Sequence, residues 1–312
     1  MMSAPVVIEG AVNIVGFAGL AAGTAGRLEI DGDLIRFNGK TEHGTIPMDA
    51  VRVVALEHSN KGLMRGVKGN LASMAPQAGQ IYSMIRPGAE TLTLFYVDEH
   101  QGFHGAVLLL PKTSRQSVLQ AFDQAGIHPA AVMDDRLSDS LRPDGVRLAA
   151  RGHRPREHSV RINLPGSNGK LPPAFVAATY EELIAQLRKS SMFETVWRQG
   201  DIRSDDDAAM LDLDVTQYKK GNAGVRGALP IVGMVAGKTL IRADLRFTDA
   251  QGTVVLQREV KGSVRMMGES IAASKSLAQR VSAALMKEAG HFEDAALGYD
   301  TSHASELANQ DR

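Results

Sequence analysis

Residues 221–247 read GNAGVRGALPIVGMVAGKTLIRADLRF, and the fold of the second half of the chain turns on whether Gly237, Lys238 and Thr239 lead into a helix or a strand. A phosphate-binding loop of the form G-x-x-x-x-G-K-[ST] needs four residues between its glycines, so that backbone N–H groups wrap a phosphate before the lysine reaches it. Here the residue five before Gly237 is Val232, and Gly233 stands one position too close. Such a loop must also open a helix whose N-terminus faces the phosphates. Lys238 is succeeded by TLIRADLRF, in which Ile241, Ala243, Leu245 and Phe247 alternate with Arg242, Asp244 and Arg246. Period two predicts a strand, which has no aligned helix dipole to offer an anion. KKGNAGVRGALPIVGMVAGKT, residues 219–239, is therefore read as a long glycine-rich connection between neighbouring strands. Its apolar centre, ALPIVGMVAG, needs cover from its own sheet, from an interface or from a membrane surface, and ten residues are too few to span a bilayer as a helix. Val232 and Val235 are its candidate contact residues.

Working outward, SVRINL at 159–164 predicts a short strand. TYEELIAQLRKSS predicts a helix capped by Thr179, with Leu183, Ile184 and Leu187 as an apolar stripe. MFETVWRQ is a further strand. In AMLDLDVTQY, Leu211, Leu213 and Val215 face one way and Asp212, Asp214 and Thr216 the other. The turn DAQG at 249–252 leads into TVVLQREVKGSV. ESIAASKSLAQRVSAALMKEAGHF closes the region as a helix with Ile271, Leu277, Val281, Leu285 and Met286 on its apolar side. The order β-α-β-β-β-β-α predicts an antiparallel sheet with helices on one face.

The first half reads differently. A strand near the amino terminus precedes a loop carrying Gly16, Gly19, Gly23 and Gly26. A hairpin comes next through Leu28, Ile30, the turn DGD at 31–33, and Leu34, Ile35 and Phe37. TIPMDAVRVVALEHS predicts one more strand, and NKGLMRGVKGNLASMAPQAGQ a long loop. A second hairpin, TLTLFYV and GAVLLL, flanks the turn DEHQGFH at 98–104. TSRQSVLQAFDQAGI reads as a helix capped by Thr113 or Ser114, burying Val118, Leu119 and Phe122 and ending at Gly126. Between Pro129 and His158 periodicity gives way to Asp, Arg, Pro and Gly, as in a linker.

With 312 residues and 44% hydrophobic content, two α+β domains are expected, each a mainly antiparallel sheet with helices on one side. The boundaries are 1–128, a linker at 129–157, 158–292, and a disordered tail at 293–312. Thirty-five basic residues balance 35 acidic ones, so no global field favours nucleic acid. The absence of cysteine excludes disulfides, thiolate metal sites and cysteine nucleophiles. No Lys or Arg precedes the apolar start of the chain, which departs from the pattern of a signal peptide, and the cytoplasm is the expected compartment. A membrane-peripheral or envelope-associated location is the alternative.

Two resemblances sharpen this. The G-x-L-x-I-x-x-D-x-I-x-F-like opening at 26–37 and IPMDAV at 46–51 resemble bacterial pleckstrin-homology-like domains over about residues 5–128. SMFETV, LDLDVTQYKKGNAGVRG, GMVAGKTLIRADLRFTDAQGTVVLQREV and the closing helix resemble the bacterial lipoprotein family of DUF4410 type over about residues 158–291. That family is similar in fold to the amino-terminal domain of TolB and to the curli-secretion lipoprotein. The resemblance implies a non-enzymatic envelope or assembly module. This chain departs from the pattern in lacking a lipid-acceptor cysteine and in carrying an extra domain in front.

Catalytic patterns are sparse. Asp205, Asp206, Asp207, Asp212 and Asp214 lack calcium-loop spacing and read as a solvated face. His100 and His104, beside Asp98 and Glu99, read as exposed turn histidines rather than zinc ligands. No G-x-S-x-G elbow or dinucleotide fingerprint occurs. Lys61, Arg65 and Lys68 could meet lipid phosphates or an acidic protein surface. The expected function is thus binding or assembly, with no cofactor or metal, through a protein partner or self-association at the glycine-rich apolar loop of 219–239. A membrane-surface contact is also open, and a hydrolase with an interdomain site is the alternative.

Overall fold

The computed structural model describes residues 5–58, 89–128, 159–167, 171–204, 208–219, 239–264 and 273–288. Lys61, Arg65, Lys68, Val232 and Val235 lie outside these residues, as do the expected linker, the tail and Asp205–Asp207.

The first half forms one antiparallel seven-stranded sheet in the order β4-β3-β2-β1-β7-β6-β5. Its strands are β1 (Val6–Val15), β2 (Ala25–Ile30), β3 (Leu34–Gly39), β4 (His43–Pro47), β5 (Val51–His58), β6 (Glu90–Val97) and β7 (Phe103–Leu110). The single strand expected from TIPMDAVRVVALEHS is in fact two. Pro47 supplies the extended residue that leads into a 3-10 turn at Met48–Ala50, and the chain leaves one edge of the sheet to arrive at the other.

Helix α1 (Arg115–Gln124) buries Val118 and Phe122 against one sheet face. Ser114 occupies the expected cap position, but its hydroxyl donates backward to the Pro111 carbonyl at 2.6 Å instead of capping the helix. Side chains alternate between two cores: Val54, Leu56, Leu92, Leu94 and Leu108 join α1, whereas Val53, Phe95, Val107 and Leu109 face the second half of the chain.

The second half forms a mixed sheet in the order β10-β8-β11-β12-β13, with β9 (Gly166–Ser167) also on β11. Strand β8 (Ser159–Ile162) runs parallel to both β10 (Thr195–Arg198) and β11 (Ala209–Lys219). Strands β11, β12 (Thr239–Thr248) and β13 (Val254–Val264) are antiparallel. The sheet is thus antiparallel only on this side, because the helix that joins β8 to β10 is a crossover connection. Strand β12 begins at Thr239, as period two predicted.

That crossover, helix α2 (Pro173–Ser190), corrects the expected start at Thr179. Pro172 and Pro173 open the helix, and Thr179 lies buried in its middle. Residues 173–181 are buried on every side of the helix. All-round burial is the mark of a helix enclosed by other layers, and α2 lies between the two sheets in one shared apolar cluster. A helix over 273–288, α3, packs Leu277, Val281 and Leu285 into that cluster. Met286, expected on the apolar side, is instead 51% exposed, because it comes one position after Leu285 and points a quarter-turn away.

Candidate functional site

Strand β1 pairs with β7 only as far as Val15 opposite Val107. Gly16 then takes φ +82° and turns the chain away, a conformation that side chains with a Cβ rarely adopt. The backbone of β7 at Phe103 and Gly105 is left without a strand on that side. Residues of the second half complete it. Phe103 N–H donates to the Gln199 carbonyl at 3.0 Å, and Ile202 N–H donates to the His100 carbonyl at 2.9 Å. Gly105 N–H donates to Glu181 Oε1 at 2.9 Å, and Arg198 Nη1 donates to the Phe103 carbonyl at 2.9 Å.

Glu181 and Arg198 are joined by two parallel bonds, Nη1 to Oε1 at 2.7 Å and Nη2 to Oε2 at 2.8 Å. Their side chains are only 7% and 10% exposed. Burial opposes the charge on Arg198, but the attraction of Glu181 outweighs it and holds the guanidinium above the usual arginine range. The fork geometry is the one in which Arg and a carboxylate bind most strongly. Gly105 permits the approach: a Cβ there would lie 2.7 Å from Ala177 Cβ on α2.

Around this pair lies a second polar layer. Tyr180 O–H accepts from Gln199 N–H at 2.9 Å, and Arg198 lies over the Tyr180 ring at 5.8 Å. Tyr96 O–H donates to the Gly16 carbonyl at 2.9 Å and accepts from Ala18 N–H at 3.1 Å. Burial keeps both phenols well above the ordinary tyrosine range, hence neutral.

His104 lies in β7, not in the turn, and it is not the exposed histidine expected: its side chain is 16% exposed and stacks on Tyr96 at 4.9 Å. Its Nε2 lies 3.2 Å from Asp98 Oδ2. Burial works against the Asp98 charge, but bonds from His104 and from the Gly102 and His100 N–H groups outweigh it and hold the carboxyl below the usual range. An ionised carboxylate only accepts, so Nε2 is the protonated nitrogen. Burial, aided by repulsion from Arg198, lowers the His104 pKa, so the ring is neutral near pH 7.

Chemically this arrangement is a clasp. Both oxygens of Glu181 and both terminal nitrogens of Arg198 are engaged. Among the described residues no group of His, Asp and Glu could hold a metal ion, and no helix is long and apolar enough to cross a membrane. Asp212 accepts from Asn163 Nδ2 at 2.7 Å on the outer sheet face, while Asp214 is exposed there. His100 stays at the turn beside Glu99.

None of the candidates named from the sequence falls among the ion-paired residues of the clasp apart from His104 and Asp98 at its margin, and Glu181 and Arg198 were not singled out. A signal did exist: Glu181 on a helix that carries no charge through residues 173–180, and Arg198 sharing a strand face with Val196, are charges at core positions.

The fold and this site define an α+β protein of two sheets locked face to face through a buried helix and a buried ion pair. Residues 158–299 match a domain of unknown function, DUF4410. Among solved structures, the chain is similar to the PelC dodecamer from Paraburkholderia phytofirmans, with 13% identity, 42% of this chain and 90% of that chain covered, and a TM-score of 0.32. A point variant of that dodecamer gives 14% identity, 42% and 90% coverage, and a TM-score of 0.31. An uncharacterized protein gives 14% identity, 43% and 88% coverage, and a TM-score of 0.24. No curated protein matches the chain.

Proposed function

We propose that the protein is a non-enzymatic binding or assembly module that works through protein–protein contacts of the apolar connection at 220–238, with Val232 and Val235 at their centre. The observation that carries this reading is the disposition of the shielded ionisable groups. Glu181 and Arg198 bind each other and the backbone of strand β7, and His104 and Asp98 bind each other, so these groups hold the fold together. A carboxylate with both oxygens in charge-assisted bonds is a poor proton acceptor, which weighs against a hydrolase site at this seam.

The connection leaves β11 at Lys219 and returns at Leu240, which pair with each other. Both ends are therefore anchored at one point of a rigid sheet, an arrangement suited to presenting a binding segment. The seven antiparallel strands and the helix α1 after them support the pleckstrin-homology-like reading of the first half. Replacing Val232 and Val235 with aspartate is expected to reduce the scattering mass of the protein in solution. Unchanged light scattering over a broad concentration range would overturn the role given to these residues.

A further inference from the structure

Strand β13 runs eleven residues without proline, and no described strand pairs with its outer side. Two of the other sheet edges are blunted, since β10 has four residues and β4 ends in Pro47, and the third, β5, is shorter at eight residues with the Leu56 carbonyl accepting from Arg115 at 3.4 Å. A long open edge is a template for another strand. Val254 and Val255 on β13 are 39% and 41% exposed.

On the outer face of this sheet two adjacent rows each carry charges of one sign, whereas the row beyond them sets Asp212 opposite Arg246. Asp214 lies directly opposite Asp244, and Asp244 directly opposite Glu259, so an acidic row crosses three strands and ends at the open edge. In the adjacent row Arg242 lies opposite Lys261, and this basic row ends at the same edge. Like charges in direct cross-strand positions destabilise a sheet. The diagonal cross-strand contact of Arg242 with Glu259 at 3.5 Å and the contact of Lys261 with Glu259 along β13 at 2.9 Å relieve part of this.

We propose that β13 pairs antiparallel with β13 of a second copy of this chain, in the register that sets Val260 opposite its own copy. That register is self-complementary. Glu259 faces Lys261 of the other copy, and Lys261 faces its Glu259, on the exposed face. The acidic row of each protomer then continues into the basic row of the other. On the opposite face Arg258, held by Glu288 at 3.8 Å, meets Gly262, which has no side chain to obstruct it. Registers centred on Arg258 or Glu259 set those charges against themselves. This surface uses no residue of the 220–238 connection, so it stands or falls apart from the function proposed above.

Sedimentation velocity of the full chain across a broad concentration range tests the proposal. A concentration-dependent dimer is expected. Glu259→Lys and Lys261→Glu alone each place like charges opposite one another twice, and each is expected to weaken the dimer at least tenfold. The double variant Glu259→Lys, Lys261→Glu restores opposite pairing and regains most of the association, which a merely misfolded single variant would not. A wild type that stays monomeric, single variants that associate as the wild type does, or a double variant that remains dissociated would each overturn the proposed pairing. Association that survives in all three of these variants but is lost in the Val232 and Val235 variants would place self-association at the connection instead.

Discussion

Two sets of charges in this molecule are chemically alike and physically opposite. Glu181 and Arg198 are enclosed between the sheets, paired through two bonds and tied to the backbone of β7. Asp214, Asp244 and Glu259 lie side by side on an open face, like against like. The difference teaches that solvent decides what a charge does for a fold. Water screens the exposed row, whereas the buried pair is stable only while both partners are present.

The largest expected effect comes from breaking the buried pair. Glu181→Ala leaves Arg198 enclosed without its counter-ion and Gly105 N–H without an acceptor, at a cost of about 3–5 kcal/mol. Urea denaturation should show it, and a loss no larger than that of an exposed pair would mean the seam admits water. Gly105→Ala tests the same seam by shape alone. Its Cβ would press on Ala177, and overpacking of this kind costs about 1–3 kcal/mol. A variant as stable as the parent would show that α2 can withdraw from β7.

A smaller effect is expected from His104. Its folded pKa is below the unfolded value of 6.5, chiefly through burial, so the unfolded chain takes up the proton first. Stability is therefore full above the unfolded value and declines as pH falls through it toward the folded pKa. Asp98, Glu181, Arg198 and Tyr96 all act on this ring or pack against it. In His104→Gln the decline over roughly pH 7 to 5 should flatten, as thermal unfolding at a series of pH values would reveal; an unaltered slope would assign it to other groups. Least of all, Asp244→Asn should change stability by no more than about 0.5 kcal/mol, with the sign toward stabilisation, since it removes a like-charge neighbour of Asp214 and Glu259. A marked loss in denaturation would mean that the exposed row is not repulsive.

Local patterns made much of the fold legible. Leu211, Leu213 and Val215 on β11, and Ile241, Ala243, Leu245 and Phe247 on β12, alternate as half-buried strands must, and the structure buries each of them. Helix α2 was legible only from Thr179 onward, because a helix covered on all sides loses the polar face that betrays its period. The split between β4 and β5 was hidden because the apolar residues continue past Pro47, and only sheet pairing sends them to opposite edges. The clasp was the least legible part. Its partners Glu181 and Arg198 reach β7 residues 76 and 95 positions away, and no spacing rule along a chain can announce such a contact.

Trp197, the chain's single tryptophan, stands next to Arg198 on β10, with the Arg203 guanidinium 5.9 Å from its ring. One intrinsic fluorophore thereby sits beside the joint between the two sheets. Its emission reports on that joint with no label attached, and separation of the sheets can be followed in real time as a spectral change from a single residue.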